Sequence, residues 1–164
     1  MSTSHRELHV ADEAAFATLA QLFVPVAIKG GVVYLQGNLG AGKTTFARAL
    51  LQALGVQARI KSPTYSLIES YKVENLTVHH LDLYRIADPS ELEWLGLADL
   101  TEDHPLLLIE WPERAQARLP AADLVIVMAH APHGRDLQLA ANSPLGHAWL
   151  QVLNSEDSSD PQHR

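Results

Sequence analysis

Residues 37–44 read Gly-Asn-Leu-Gly-Ala-Gly-Lys-Thr and match the pattern G-x-x-x-x-G-K-[ST] at every fixed position. The β-branched and aromatic run before them, residues 32–35, predicts a buried strand. The segment after them carries apolar residues at helical spacing and stops at Gly55, which predicts a helix. A glycine-rich turn between a strand and a helix points backbone N–H groups and the positive helix end at an anion. The motif therefore predicts a nucleoside triphosphate site.

Three side chains are the first candidates for chemistry at this site. Lys43 is expected to reach the β- and γ-phosphates, and the Thr44 hydroxyl is expected to bind Mg²⁺. The apolar run at residues 105–109 predicts a buried strand, which ends in Glu110. A central strand of this kind can deliver a carboxylate to the metal directly or through water, so we predict Glu110 as the metal-side acid.

The number of acids at the end of this strand bears on the rate of hydrolysis. Many fast ATPases carry a metal-binding acid followed directly by a water-activating acid, whereas Trp111 follows Glu110 here. Either Glu110 performs both tasks or a base comes from elsewhere, and both readings predict slow intrinsic hydrolysis. Asp82, at the end of another predicted strand, is a second acid for the metal or for the attacking water. A salt bridge of Asp82 with Arg85, or a turn cap, is the structural alternative.

Two further polar segments stand near these candidates. Residues 61–65 follow the predicted phosphate-loop helix, where switch loops sense a γ-phosphate, and Thr64 offers a hydroxyl there. An ordinary polar connector explains this segment equally well. His79 and His80 are adjacent on a predicted strand and therefore point to opposite faces, which argues against a shared metal site.

Composition restricts the classes of protein to which the chain can belong. Its 164 residues suit a single domain, which we place at residues 1–153, followed by a disordered acidic tail at 154–164. It has no cysteine and no apolar run long enough to span a bilayer, so we expect a cytoplasmic protein without disulfides. The formal net charge of −7 and the lack of a basic cluster argue against strong direct binding of nucleic acid.

The order of predicted elements indicates an α/β fold. A helix from residue 12 to 28 precedes the first strand, and a hairpin is predicted at 65–81. Strands alternate with helices early in the chain and cluster as hairpins later. We therefore predict a three-layer sandwich like that of P-loop NTPases, with a mixed, partly parallel sheet flanked by helices.

Five segments in this order are similar to the TsaE (YjeE) family: GNLGAGKTT, SPTYS, HHLDLYR, ELEWLGL and LIEWPER. The resemblance extends from about residue 32 to 118 and more loosely to the hairpin around Arg135. It implies a bacterial P-loop ATPase needed to make N6-threonylcarbamoyladenosine at position 37 of transfer RNAs. It also implies docking on a TsaD-like catalytic subunit and its TsaB-like paralogue, with transfer RNA reached only through them and with no membrane.

The same resemblance implies roles for individual residues. It implies Lys43, Asp82 and Glu110 as catalytic residues, Thr44, Glu110 and Asp82 as Mg²⁺ ligands, and Thr64 and Trp111 as switch or partner-facing positions. It implies that ATP is held by Asn38, Leu39, Gly40, Ala41, Gly42, Lys43, Thr44 and Thr45, with Arg135 at the nucleotide and Glu13 near its base. The family's usual Asp and Phe are replaced by Asn38 and Leu81, neither of which supplies a phosphate ligand by its side chain.

Two other classes share a phosphate loop and this length. A small-molecule or nucleotide kinase normally clamps the phosphates with several lid arginines, but residues 115–133 offer only Arg118. A binding module in which the triphosphate merely orders residues 61–71 for a partner needs fewer acids near its metal than Asp82 and Glu110 provide.

Overall fold

The computed structural model describes residues 4–158, which form one seven-stranded sheet in the order β1-β7-β6-β2-β5-β4-β3. The strands are β1 His5–Val10, β2 Gly31–Gly37, β3 Ile68–Val73, β4 Leu76–Asp82, β5 Leu106–Glu110, β6 Leu124–His130 and β7 Arg135–Ala141. The four central strands, β6, β2, β5 and β4, run parallel, whereas β1, β7 and β3 are antiparallel to their neighbours. The prediction of a mixed, partly parallel sheet is confirmed.

Helices cover both faces of this sheet. On one face, α1 Glu13–Ala27, α2 Lys43–Leu54 and α5 Pro144–Ser158 pack against Val33, Leu35 and Leu108. The short helix α3 Glu91–Trp94 packs on the other face, where Leu92 joins Tyr34, Leu107 and Ile109 in a smaller core, and α4 Leu97–Leu100 follows it. Alternate residues of β2 and β5 thus serve opposite cores, as the two-residue period of a strand requires.

Local signals in the sequence explain where several elements begin and end. The Asp12 side chain accepts a hydrogen bond from the Ala15 backbone N–H at 2.9 Å, which caps α1. Gly55 takes a left-handed conformation with φ of 99° and ends α2. No helix within residues 4–158 is long and apolar enough to cross a membrane.

The structure departs from the sequence-based expectations at both chain ends. The structure adds the six-residue strand β1, which the sequence did not predict. Within residues 4–158 it pairs only with β7, at the edge of the sheet. Helix α5 continues to Ser158, so residues 154–158 of the predicted tail are helical. Residues 159–164 lie outside the described part of the chain.

Truncation of a core side chain on the central strand β5 should destabilise the folded protein. Leu108 is fully buried in the larger core, so Leu108→Ala should lower the free energy of unfolding by about 2 to 5 kcal/mol through lost contacts and the cavity left behind. Urea denaturation measures this change. Ile28→Ala, at a position 56% exposed, is the control and should change it by less than about 0.5 kcal/mol. Equal losses from both variants would contradict the placement of Leu108 in the core.

Candidate functional site

The loop at residues 37–42 connects β2 to α2 at the carboxyl edge of the parallel strands. Gly37, Gly40 and Gly42 have φ values of 146°, 76° and 114°, which L side chains rarely adopt. A Cβ at Gly37 would lie 2.4 Å from the Met128 carbonyl oxygen, and one at Gly42 would lie 2.9 Å from the Phe16 ring. At Gly40 nothing lies closer than 3.7 Å, so the backbone there is open to the approach of a ligand.

This loop forms one wall of a cleft of about 340 Å³. Strands β4 and β5 and the N-terminus of α2 contribute the other walls. The lining residues are Leu39, Gly40, Gly42, Lys43, Thr44, Thr45, Thr64, Asp82, Tyr84, Arg85, Glu110 and Trp111. The structure thus brings together the phosphate loop, both candidate acids, the predicted switch residue Thr64 and Trp111.

Lys43 is buried and folded against its own loop. Its Nζ donates hydrogen bonds to the carbonyl oxygens of Gly37 at 2.5 Å and Asn38 at 2.9 Å. The same Nζ lies 4.4 Å from the centroid of the Trp111 ring. Burial lowers the pKa of Lys43, and the negative charges of Glu110, Glu113 and Asp82 oppose this shift. Two backbone carbonyls and an aromatic face therefore hold the lysine at the glycine-rich loop.

Glu110 connects the sheet to the phosphate-loop helix. The Thr44 hydroxyl donates to Glu110 Oε1 at 2.7 Å, and His80 Nε2 lies 2.6 Å from Glu110 Oε2. Glu110 is 2% exposed and His80 is 1% exposed. The sequence alone does not predict the contact between His80 and Glu110, because it depends on how β4 pairs with β5.

Asp82 lies beside Glu110 on the neighbouring parallel strand, and the two residues are paired in register. Its Oδ1 accepts a hydrogen bond from the Tyr84 backbone N–H at 3.0 Å. Burial raises the pKa of Asp82, mainly by removing the carboxylate from water, and the nearby Glu110 charge acts in the same direction. The hydrogen bond from the Tyr84 N–H is the one that the turn-cap alternative predicts for Asp82. Asp82 also lines the cleft, as a residue that contacts a ligand there must.

Arginines stacked on aromatic rings form the outer rim of the cleft. The Arg85 guanidinium lies 4.5 Å from the centroid of the Tyr65 ring, and Arg114 lies 5.2 Å from that of Tyr84. An extended segment would have placed Tyr84 and Arg85 on opposite faces. Both line the cleft because β4 ends at Asp82 and a turn follows.

Four other predicted site residues lie outside the cleft lining. Arg135 supports the loop from behind, since its Nη2 donates to the Gly40 carbonyl oxygen at 3.1 Å. Asn38 contributes its carbonyl oxygen to Lys43, and Ala41 is buried in the larger core. Glu13 is exposed in the first turn of α1.

The oxygen donors of the cleft fit Mg²⁺. Within residues 4–158, no group of three or more His, Cys, Asp or Glu side chains is placed to hold a metal ion by itself. Mg²⁺ at nucleotide sites keeps several waters and needs only one or two carboxylates together with substrate phosphates. Thr44, Glu110 and Asp82 offer a hydroxyl and two carboxylates at one edge of the sheet, which meets this requirement.

Asp82→Asn should stabilise the ligand-free protein at pH 7. Because the folded state binds the Asp82 proton more tightly than the unfolded state does, ionisation lowers the free energy of unfolding above the raised pKa. The gain in melting temperature over wild type should shrink as the pH falls through that pKa toward about 4. Thermal unfolding at both pH values measures it, with Asp103→Asn, at an exposed position, as the control. A gain that is independent of pH would contradict the role of the buried charge.

Comparisons with known proteins agree with this geometry. A family model described as threonylcarbamoyl adenosine biosynthesis protein TsaE matches residues 10–137. The tRNA threonylcarbamoyladenosine biosynthesis protein TsaE of Haemophilus influenzae is 39% identical over 152 residues, covering 90% of this chain and 96% of the relative. The protein of the same name from Bacillus subtilis is 37% identical over 113 residues, covering 69% and 70% of the two chains.

A solved structure extends the similarity to the fold. The crystal structure of Bacillus subtilis YdiB superposes with a TM-score of 0.77 at 26% sequence identity, covering 96% of this chain and 99% of that one. The glycine-rich loop at the carboxyl edge of a mixed sheet and the match over most of the chain lead to one conclusion. This chain belongs to the TsaE family of threonylcarbamoyladenosine biosynthesis proteins.

Proposed function

We propose that this chain binds ATP with Mg²⁺ in the cleft and hydrolyses it slowly to support tRNA threonylcarbamoyladenosine synthesis. The observation that carries the proposal is the 2.7 Å contact between the Thr44 hydroxyl and Glu110 Oε1. It joins the first turn of the phosphate-loop helix to the acid at the end of β5, which are the two elements that hold a metal–triphosphate in P-loop NTPases. Membership of the TsaE family gives the activity its biosynthetic setting.

Each group of the cleft has a distinct task in this proposal. The open backbone at Gly40 and the N–H groups that follow it bind phosphate oxygens, with the helix dipole of α2 behind them. Lys43 exchanges its two backbone carbonyl partners for phosphate oxygens. Thr44 and Glu110 would hold Mg²⁺, which would supply positive charge to offset the negative charge that develops on the phosphates.

The two acids divide the remaining work. Glu110 contacts Thr44 directly and is therefore the acid nearest the metal side of the cleft. Asp82 lies one strand further out, and its Oδ1 is held by the Tyr84 N–H while the cleft borders the carboxylate. We assign to Asp82 the positioning of the attacking water. A single partly restrained carboxylate is a weak catalyst of water attack, so intrinsic turnover should stay below about 1 s⁻¹.

The exposed rim suits assembly with partner proteins. Tyr65 is 82% exposed and lies against Arg85, which lines the cleft. Arg114 lies against Tyr84, another lining residue. Tyr, Trp and Arg are the residue types enriched where protein interfaces bind most strongly. We propose that a TsaD-like catalytic subunit and its TsaB-like paralogue dock here, and that transfer RNA is reached through them.

Lys43→Ala should weaken ATP binding by about 10- to 100-fold, because charge-assisted hydrogen bonds to the phosphates are lost. Isothermal titration with ATP and Mg²⁺ measures the change. Lys29→Ala removes an exposed lysine outside the cleft and is the matched control. Equal affinity of wild type and Lys43→Ala would exclude ATP binding at this loop.

Glu110→Gln should leave ATP bound but lower steady-state hydrolysis by about 100-fold or more, since the carboxylate beside the metal and water is lost. Hydrolysis is measured for the purified chain alone and with the partner pair, and we expect strong stimulation by the pair for wild type but not for Glu110→Gln. Glu113→Gln, an exposed acid three residues away, is the control. Phosphate transfer to an added small molecule instead of water would overturn the proposal in favour of a kinase.

A further inference from the structure

We propose that His80 is the positioning residue of the Glu110 carboxylate: it holds Oε2, so that Glu110 presents only Oε1 to the ligand side of the cleft. This inference deepens the proposed function and rests on it. His80 does not itself line the cleft. Its hydrogen bond to Glu110, which does, is the contact through which it acts on the reaction.

The pairing of the parallel strands creates this contact. Asp82 is paired in register with Glu110, and His80 is paired with Leu108. His80 and Asp82 are two residues apart on β4 and therefore point to the same face of the sheet. From that face the His80 ring reaches across to β5, where its Nε2 lies 2.6 Å from Glu110 Oε2.

The two oxygens of Glu110 have different partners. Oε1 accepts from the Thr44 hydroxyl, which belongs to the ligand-binding helix, whereas Oε2 faces His80 within the sheet layer. Among the described residues, these are the hydrogen-bond partners of the carboxylate. A Thr44 hydroxyl that turns to a ligand releases Oε1, and His80 is then the group that keeps the carboxylate from rotating.

The two ring nitrogens of His80 differ in their hydrogen bonding. A carboxylate accepts hydrogen bonds, so Nε2 is the donor in the contact with Glu110. Nδ1 is buried and has no hydrogen-bond partner within residues 4–158. A buried polar atom without a partner lowers stability, and an apolar side chain of similar volume would avoid that cost. Among the described residues, the bond to Glu110 is the one side-chain hydrogen bond that this buried ring makes.

His79 supplies a matched control on the same strand. It is also buried, but it points to the opposite face, and its Nδ1 lies 2.7 Å from the Ser70 hydroxyl. Substitution of His79 removes another buried imidazole from β4 without changing the contact with Glu110. A general structural contribution of histidine to this strand would affect both positions alike.

The first experiment uses the ligand-free protein and needs no activity. Long-range ¹⁵N–¹H correlation spectra of the histidine rings report which nitrogen of His80 carries the proton. We expect a protonated Nε2 whose proton exchanges slowly with water in wild type and quickly in Glu110→Ala. An unprotonated Nε2, or exchange unaffected by Glu110→Ala, would overturn the proposal.

The second experiment measures ATP binding and hydrolysis over a range of Mg²⁺ concentrations for wild type, His80→Leu, His80→Gln and His79→Leu. We expect His80→Leu to lower kcat and to raise the half-saturating Mg²⁺ concentration by about 10-fold each, as loss of a residue behind a metal-side ligand does. ATP affinity should change less than about twofold, because the phosphate contacts are intact. The glutamine amide can donate in place of Nε2, so His80→Gln should recover most of kcat, and His79→Leu should match wild type.

The outcomes separate this inference from the proposed function. If wild type binds and hydrolyses ATP while His80→Leu is unchanged in kcat and Mg²⁺ dependence, the positioning role of His80 is wrong and the proposed function stands. Equal losses in His80→Leu and His79→Leu, with no recovery in His80→Gln, also overturn it. If wild type itself does not bind ATP, the proposed function fails, and the role of His80 in it fails as well.

Discussion

The register between the parallel strands β2, β5 and β4 is the constraint on which the site depends. It aligns Leu35, Glu110 and Asp82 in one row across the sheet, directly before the chain leaves β2 for the phosphate loop. A slip of one residue would turn both acids to the opposite face, toward the smaller core. Thr44 would then lose Glu110, and the cleft would lose both carboxylates.

The chemistry of the site is concentrated in a few buried polar groups. Lys43, His79, His80, Asp82 and Glu110 are the buried polar or charged side chains of the described residues, and all except His79 belong to the cleft or contact it. Burial disfavours the charged forms of Lys43 and Asp82, as the directions of their pKa shifts indicate. Burial of these charged groups lowers the free energy of unfolding. A ligand of complementary charge that binds the folded state would raise it again, so ligand binding and stability are linked.

Features of the fold that depend on a few neighbouring residues are predicted correctly from the sequence, whereas features that depend on distant contacts are not. The glycine-rich turn after β2, the start of α1 and the end of α2 at Gly55 are decided within a few residues, and the structure agrees with each. Strand β1 was missed because an edge strand with one partner has little apolar periodicity of its own. The position of Arg85 at the cleft was missed because it depends on a turn directly after Asp82.

By itself, the sequence determined that a strand, a glycine-rich turn and a helix would follow one another, and that an acid would end a second buried strand. These features follow from steric limits on φ, from periodicity and from helix capping, all of which act over short distances. Only the tertiary structure decided that His80 meets Glu110, that Trp111 lies over Lys43 and that Arg135 supports the loop from behind. Those contacts join residues far apart in the chain, and the order and register of the sheet strands bring them together.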